Sequence, residues 1–190
     1  MTLFINACVR KGSRTERLAR HLLGKLGNDQ TELRLSDVDI PSVDGDFIEK
    51  RDELISRRLF DSPMFGLARL FASADSIVIA APFWDLSFPA ALKQYFEQIN
   101  VVGLTFRYTP EGVPQGLCRA KELYYVTTSG GPVFDYSFGY GYVKSLAEGF
   151  YSIPRVELFS AEGLDIIGSD VEGILKDAEW RIDAAFETKI

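Results

Sequence analysis

Three short segments hold the residues whose types and spacing could do chemistry. The first is Val9-Arg10-Lys11-Gly12-Ser13-Arg14-Thr15, which joins an apolar run to a helical pattern. A helix start presents unpaired backbone amides and the positive end of its dipole. Ser13 and Thr15 add hydroxyls, and Arg10, Lys11 and Arg14 add positive charge, a combination that suits a phosphate. The segment is neither a P-loop nor a G-x-G-x-x-G fingerprint, which points to one terminal phosphate rather than a triphosphate or pyrophosphate. The second segment, Phe83-Trp84-Asp85-Leu86, offers aromatic area and backbone amides. In the third, Thr128-Ser129-Gly130-Gly131, the paired glycines let a ligand approach the backbone closely. Each has a plain structural alternative: a capped helix with solvated basic residues, a connection with core aromatics, a tight turn. Together they read as a phosphate anchor, a slot for a flat ring and an amide cradle, which are the parts flavin mononucleotide (FMN) needs.

The elements around these segments alternate between strand and helix. Leu3–Cys8, Ser76–Ala81 and Leu123–Thr128 are apolar runs that read as strands buried on both faces. Thr31, Leu33 and Leu35 alternate with polar residues, as in a shorter strand nearer an edge, and Arg155–Phe159 reads as the last strand. Helices are expected from Ser13 to about Leu26 with a stop at Gly27, over about 47–61 and 63–74 with a break at Ser62-Pro63, and from about 90 to 99. Two more are expected, one ending near Phe150 and one from a Ser169-Asp170 cap to about Phe186. Five strands separated by helices predict a doubly wound α/β parallel sheet of order 2-1-3-4-5 with helices on both faces, formed by residues 1–190 as a single domain. All three segments then follow strands at the carboxyl edge of the sheet, where open α/β sheets bind ligands. The long connection from Val101 to Ala120 is expected to be functional or to carry small structure of its own.

Composition narrows the class. The chain has 190 residues, is 46% hydrophobic and 25% charged, and carries a net charge of −6, an ordinary globular balance that argues against a general nucleic-acid or membrane-surface binder. Cys8 and Cys118 are the two cysteines and show no metal-ligand spacing, so no metal is expected. No apolar run is long enough to span a bilayer and no basic leader opens the sequence, so a cytoplasmic location is expected.

The segment Ala80-Ala81-Pro82-Phe83-Trp84 with Pro89-Ala90-Ala91-Leu92-Lys93-Gln94-Tyr95-Phe96-Glu97, followed by Gly103-Leu104-Thr105-Phe106-Arg107-Tyr108-Thr109, resembles the FMN-dependent NADH-azoreductase and NADH:quinone oxidoreductase family. The resemblance covers nearly the whole length, and the Ser13 and Gly130 segments support it. It implies a flavodoxin-like fold with FMN as cofactor and NADH or NADPH as co-substrate. Ser13, Arg14 and Thr15, assisted by Arg10, would hold the FMN phosphate. Phe83, Trp84, Asp85 and Leu86 would flank the isoalloxazine from one side, and Thr128, Ser129, Gly130 and Gly131 from another. Some relatives carry Asn where Asp85 stands and Arg where Ser129 stands. An ionised Asp85 can only accept through its side chain, so its backbone amide is the donor.

The expected activity is two-electron reduction of a quinone, azo compound or similar flat acceptor by NAD(P)H, in ping-pong order, with no catalytic side chain because the cofactor carries the chemistry. Phe106, Tyr136 and Phe138 are candidate acceptor-pocket residues; the run 134–142 reads as an aromatic lid, with an extended packed segment as its alternative. A homodimer is expected from aromatic density in 101–108 and 134–151. His21 reads as a partly exposed helix residue, and Asp165, Asp170 and Glu172 as solvent-facing residues away from the site. The competing functions are a flavodoxin-like electron carrier that docks protein partners and a flavin-free regulatory module.

Overall fold

A computed structural model describes residues 1–27 and 29–187. The chain runs β1 (Thr2–Asn6), α1 (Arg14–Leu23), β2 (Gln30–Arg34), α2 (Gly45–Ser56), α3 (Gly66–Ser73), β3 (Ser76–Ala80), α4 (Ala90–Ile99), β4 (Phe106–Tyr108), β5 (Pro114–Gly116), β6 (Glu122–Thr128), α5 (Tyr142–Gly149), β7 (Arg155–Ala161) and α6 (Val171–Glu187). The main sheet has the order β2-β1-β3-β6-β7, and every pairing in it is parallel. This is the expected flavodoxin-like order, 2-1-3-4-5 by sequence among its own strands.

Burial explains the assignment. All five residues of β1 and of β3 are buried, as in strands covered on both faces, whereas edge strand β2 alternates between exposed and partly buried. Leu18 and Leu22 of α1 pack with Leu175 and Ile182 of α6 against one face, around Phe4, Val78 and Tyr124. Phe71 of α3, Tyr95 and Phe96 of α4 and Val143 of α5 cover the other face, around Ile5, Ile79 and Tyr125. Fully burying one such side chain stabilises the fold by roughly 1.5–3 kcal/mol. The helix after β1 lies on one face and the helix after β3 on the other, so a crevice opens between the carboxyl ends of these neighbours.

Several boundaries differ from expectation for local reasons. Helix α1 ends at Leu23: the Lys25 and Leu26 amides bond Leu22 and Leu23, an i→i−3 tightening, and Gly27 turns the chain at φ +82°. Helix α2 starts at Gly45 because the Asp44 carboxylate accepts from the Phe47 amide. It stops at Ser56, before Arg58 at φ +55°. The Ser62-Pro63 break is a 3₁₀ turn capped by the Ser62 hydroxyl. The Asp170 carboxylate caps α6 through the Gly173 amide at 2.9 Å.

The long connection carries the small antiparallel hairpin β4–β5. Strand β5 crosses the α5–β7 connection so closely that a Cβ on Gly116 would lie 2.0 Å from the Tyr151 carbonyl carbon. Among the described residues no helix is long and apolar enough to cross a membrane, and no cluster of acidic, His or Cys side chains could hold a metal.

Candidate functional site

The crevice at the carboxyl edge is a cleft of about 340 Å³, at the lower end of the roughly 300–1,000 Å³ usual for small-molecule sites. Arg10, Ser13, Arg14, Thr15, Phe83, Trp84, Thr128, Ser129 and Gly130 line it, together with Lys11, Gly12 and Asp165. Backbone bonds bring the segments together. The Ala7 amide donates to Ala80, Ala81 to Val126, Phe83 to Thr128 and Ser129 to Ala161, so the ladder continues past each strand end.

The phosphate segment is built as a helix start. Gly12 adopts φ +69°, which admits glycine freely, and turns the chain into Ser13. Ser13 caps α1, accepting from the Glu16 amide at 3.3 Å on its hydroxyl and from the Arg17 amide at 3.0 Å on its carbonyl. The amides of Arg14 and Thr15 precede the first intrahelical bond and have no protein partner among the described residues. Two side chains act differently from expectation. Thr15 is buried, and its hydroxyl shares a 2.6 Å bond with that of Thr128, tying the first segment to the third. Arg14 donates from Nη1 to the Leu164 carbonyl at 2.7 Å and from Nη2 to Asp165 at 2.6 Å. Asp165 is therefore a wall of the cleft and not a remote surface acid; the β7–α6 connection folds back over Gly130, with the Asp165 amide on the Gly130 carbonyl at 2.9 Å.

On the aromatic side, reciprocal bonds between Trp84 and Ser87 close a two-residue turn, with Asp85 at φ +49° and Leu86 at φ +67°. Left-handed backbone in a bulky residue such as Leu86 is strain of the kind that clusters at ligand sites. Asp85, Leu86 and Gly131 do not line the cleft itself; they continue the turns that bound it.

The 134–142 run is not extended. After an Asx turn in which Asp135 accepts from the Ser137 amide, residues 137–141 form a π-helical turn leading into α5. Its anchors were not legible in the sequence. The Tyr136 hydroxyl donates to Glu162 at 2.6 Å, the Tyr136 ring meets Phe83 edge-on at 6.1 Å, and the Ser87 hydroxyl donates to the Phe138 carbonyl at 2.6 Å. Burial, with the Glu162 carboxylate beside it, pushes the Tyr136 phenol up to about 12, so it stays a neutral donor. Phe138 is 62% exposed and Phe134 95%. Phe106 is buried instead, packed against Tyr108 and Phe150 by the pairing of β4 with β5, and does not line the cleft.

Neither thiol is a nucleophile near neutral pH: burial pushes Cys8 up to about 11 and Cys118 up to about 12. His21 bonds Asp183 at 2.7 Å, joining α1 to α6 outside the cleft lining.

A flavodoxin-like fold family model matches residues 1–185. The chain is 36% identical over 176 residues to an FMN-dependent NADH:quinone oxidoreductase of Coprothermobacter proteolyticus, covering 87% of each chain. The chain belongs to this flavodoxin-like oxidoreductase family. Another member, the FMN-dependent NADH:quinone oxidoreductase of Clostridium beijerinckii, is 35% identical over 183 residues, covering 93% of this chain and 90% of its own. An azoreductase structure from Bacillus anthracis superposes with a TM-score of 0.83 over 98% of both chains at 24% identity, a likeness of fold. Membership in the family agrees with the resemblance that the Pro82 and Pro89 segments carry.

Proposed function

We propose that the cleft holds FMN and that the protein is an NADH-dependent flavin oxidoreductase that reduces quinones or azo compounds. The observation that carries this reading is the meeting, in one cleft, of the Ser13 helix start with the Phe83-Trp84 aromatics and the Gly130 backbone. The donor set suits a phosphate monoester: unpaired Arg14 and Thr15 amides, the Ser13 hydroxyl, and the side chains of Arg10 and Arg14. Gly130 lines the cleft, and the space a Cβ would take there is held by the Asp165 carboxylate, with Oδ2 at 2.4 Å. Phe83 and Trp84 supply the wall for a planar ring, with Ser129 in the lining and Asp85, Leu86 and Gly131 in the bounding turns. FMN, when bound, supplies the two-electron chemistry between the nicotinamide and the acceptor.

The chain's own part is binding, orientation and exclusion of water. Tyr136, held by Glu162 and Phe83, and Phe138, held at its carbonyl by Ser87, lie outside the cleft lining and behind its aromatic side, where an acceptor stacked beyond the ring would meet them. Flat acceptors of varied shape would stack against these rings. One face beneath one aromatic border leaves room for the donor or the acceptor, not both. Initial-rate plots for quinone reduction at several fixed NADH concentrations should therefore be parallel, and intersecting lines would reject a shared site. The same assay run with NADPH sets the donor preference. Tyr136→Ala and Phe138→Ala should raise the acceptor KM several-fold; unchanged acceptor kinetics would remove both residues from the pocket. Protein that takes up no FMN would overturn the reading itself.

We also propose that the working form is a homodimer. Supporting this, Phe134, Phe138, Leu86 and Tyr108 expose large apolar surface. A monomeric mass by light scattering at assay concentration would count against it.

A further inference from the structure

We propose that Asp165 is a specificity-determining residue of the anion cradle: its carboxylate biases the cleft toward a phosphate monoester and against anions of higher charge. This rests on the FMN reading for its natural ligand, though not for its test. A carboxylate is out of place among anion-binding groups. It lines the same cleft as Arg10, Lys11 and Arg14, and like charge there subtracts from what those three cations offer a ligand.

Its position is built. The Asp165 amide donates to the Gly130 carbonyl at 2.9 Å and the Leu164 amide to the Ser129 carbonyl at 3.2 Å, so backbone bonds hold this connection against the cradle loop. The side chain lies over Gly130, where any larger residue would displace it: a Cβ at 130 would come within 2.4 Å of Oδ2 and 3.0 Å of the carboxyl carbon. The loop thus makes room for this carboxylate. The pairing of Oδ1 with Arg14 does not bury the charge, because the Asp165 side chain stays 64% exposed. Arg14 is also fixed by the Leu164 carbonyl, so its orientation does not depend on the carboxylate alone.

The consequence is selection by charge. Repulsion from a fixed carboxylate grows with the charge of the ligand, whereas the hydrogen bonds the cradle offers are limited by its geometry. A neutral ligand feels nothing, a monoester near charge −2 is held less tightly than it would otherwise be, and a polyphosphate is penalised most. Arg10, Lys11 and Arg14 at a helix start would otherwise favour the most highly charged anion present.

The test uses full-length protein and two uncharged variants, Asp165→Asn and Asp165→Ser, with Asp165→Glu to restore the charge. Calorimetric titration with inorganic phosphate and with tripolyphosphate needs no flavin; fluorescence titrations with FMN and riboflavin follow. In both uncharged variants FMN should bind about threefold more tightly, and tripolyphosphate should gain about tenfold, clearly more than phosphate. Riboflavin should be unchanged, and Asp165→Glu should return the order to that of the parent. Equal gains for phosphate and tripolyphosphate, or weaker FMN binding in the uncharged variants, would overturn the assignment. Parent protein that binds phosphate but not FMN would instead overturn the flavin reading, and the anion ratio would still judge Asp165.

Discussion

Replacing Gly116 with alanine is expected to lower the thermal unfolding midpoint by about 6–12 °C, a loss of about 3 kcal/mol in a chain of this size. At Gly116 a Cβ would meet only backbone: the Tyr151 carbonyl carbon at 2.0 Å, its oxygen at 2.2 Å and the Ser152 amide nitrogen at 2.4 Å. No side-chain rotation relieves such a contact, so strand β5 or the Tyr151-Ser152 backbone has to move. Neither moves freely. The Gly116 amide donates to the Ser152 hydroxyl at 2.8 Å, and Ser152 already sits at φ +55°. Tyr151 is buried with its hydroxyl on Asn100 at 2.7 Å and its ring 4.8 Å from Phe71. Gly149→Ala, two residues before Tyr151, is the control: a Cβ there meets open space, and the variant should be neutral or slightly more stable. A Gly116→Ala midpoint within about 2 °C of the parent would show that the close approach carries no energetic weight.

The contrast between these two glycines marks what the sequence made legible. The β-branched run of β3 and the apolar run of β1 announce buried parallel strands, because burial on both faces leaves no alternation to be read. Ser13 announces a helix start by chemistry local to four residues, and the structure has that cap. Gly116 carries no such mark, because what makes it necessary is a backbone that arrives from 35 positions later in the chain. Asp165 was illegible for the same reason. Its neighbours Ile166 and Ile167 are exposed, and nothing in its own segment tells that the connection returns across Gly130. The aromatic run misleads differently: Tyr136, Phe138 and Tyr140 alternate as a strand would, the alternative to the lid reading, and the structure is not extended there. The alternation is overridden by bonds to partners far in sequence, Tyr136 to Glu162 and Tyr140 to the Val156 carbonyl.

Arg14→Ala is expected to weaken FMN binding by about 1.5–3 kcal/mol, roughly ten- to 150-fold in Kd, with riboflavin affinity nearly unchanged. The guanidinium spends one donor of Nη1 on the Leu164 carbonyl and one of Nη2 on Asp165, which leaves three of its five N–H groups for a phosphate. The bond to the Leu164 carbonyl holds the fork in place before the ligand arrives, so little side-chain entropy is lost on binding. The ion pair is too exposed for its loss to destabilise the fold by more than about 1 kcal/mol, so a collapse of structure would not explain the change in affinity. The alanine variant also leaves Asp165 as an unpaired carboxylate in the cradle, adding repulsion to the lost bonds. Arg14→Lys should fall between, keeping the charge but losing the fork. The riboflavin control separates phosphate recognition from ring binding: a loss shared equally by both ligands would mean that Arg14 shapes the whole cleft. Unchanged FMN affinity in both Arg14→Ala and Ser13→Ala would remove the phosphate from this helix start altogether.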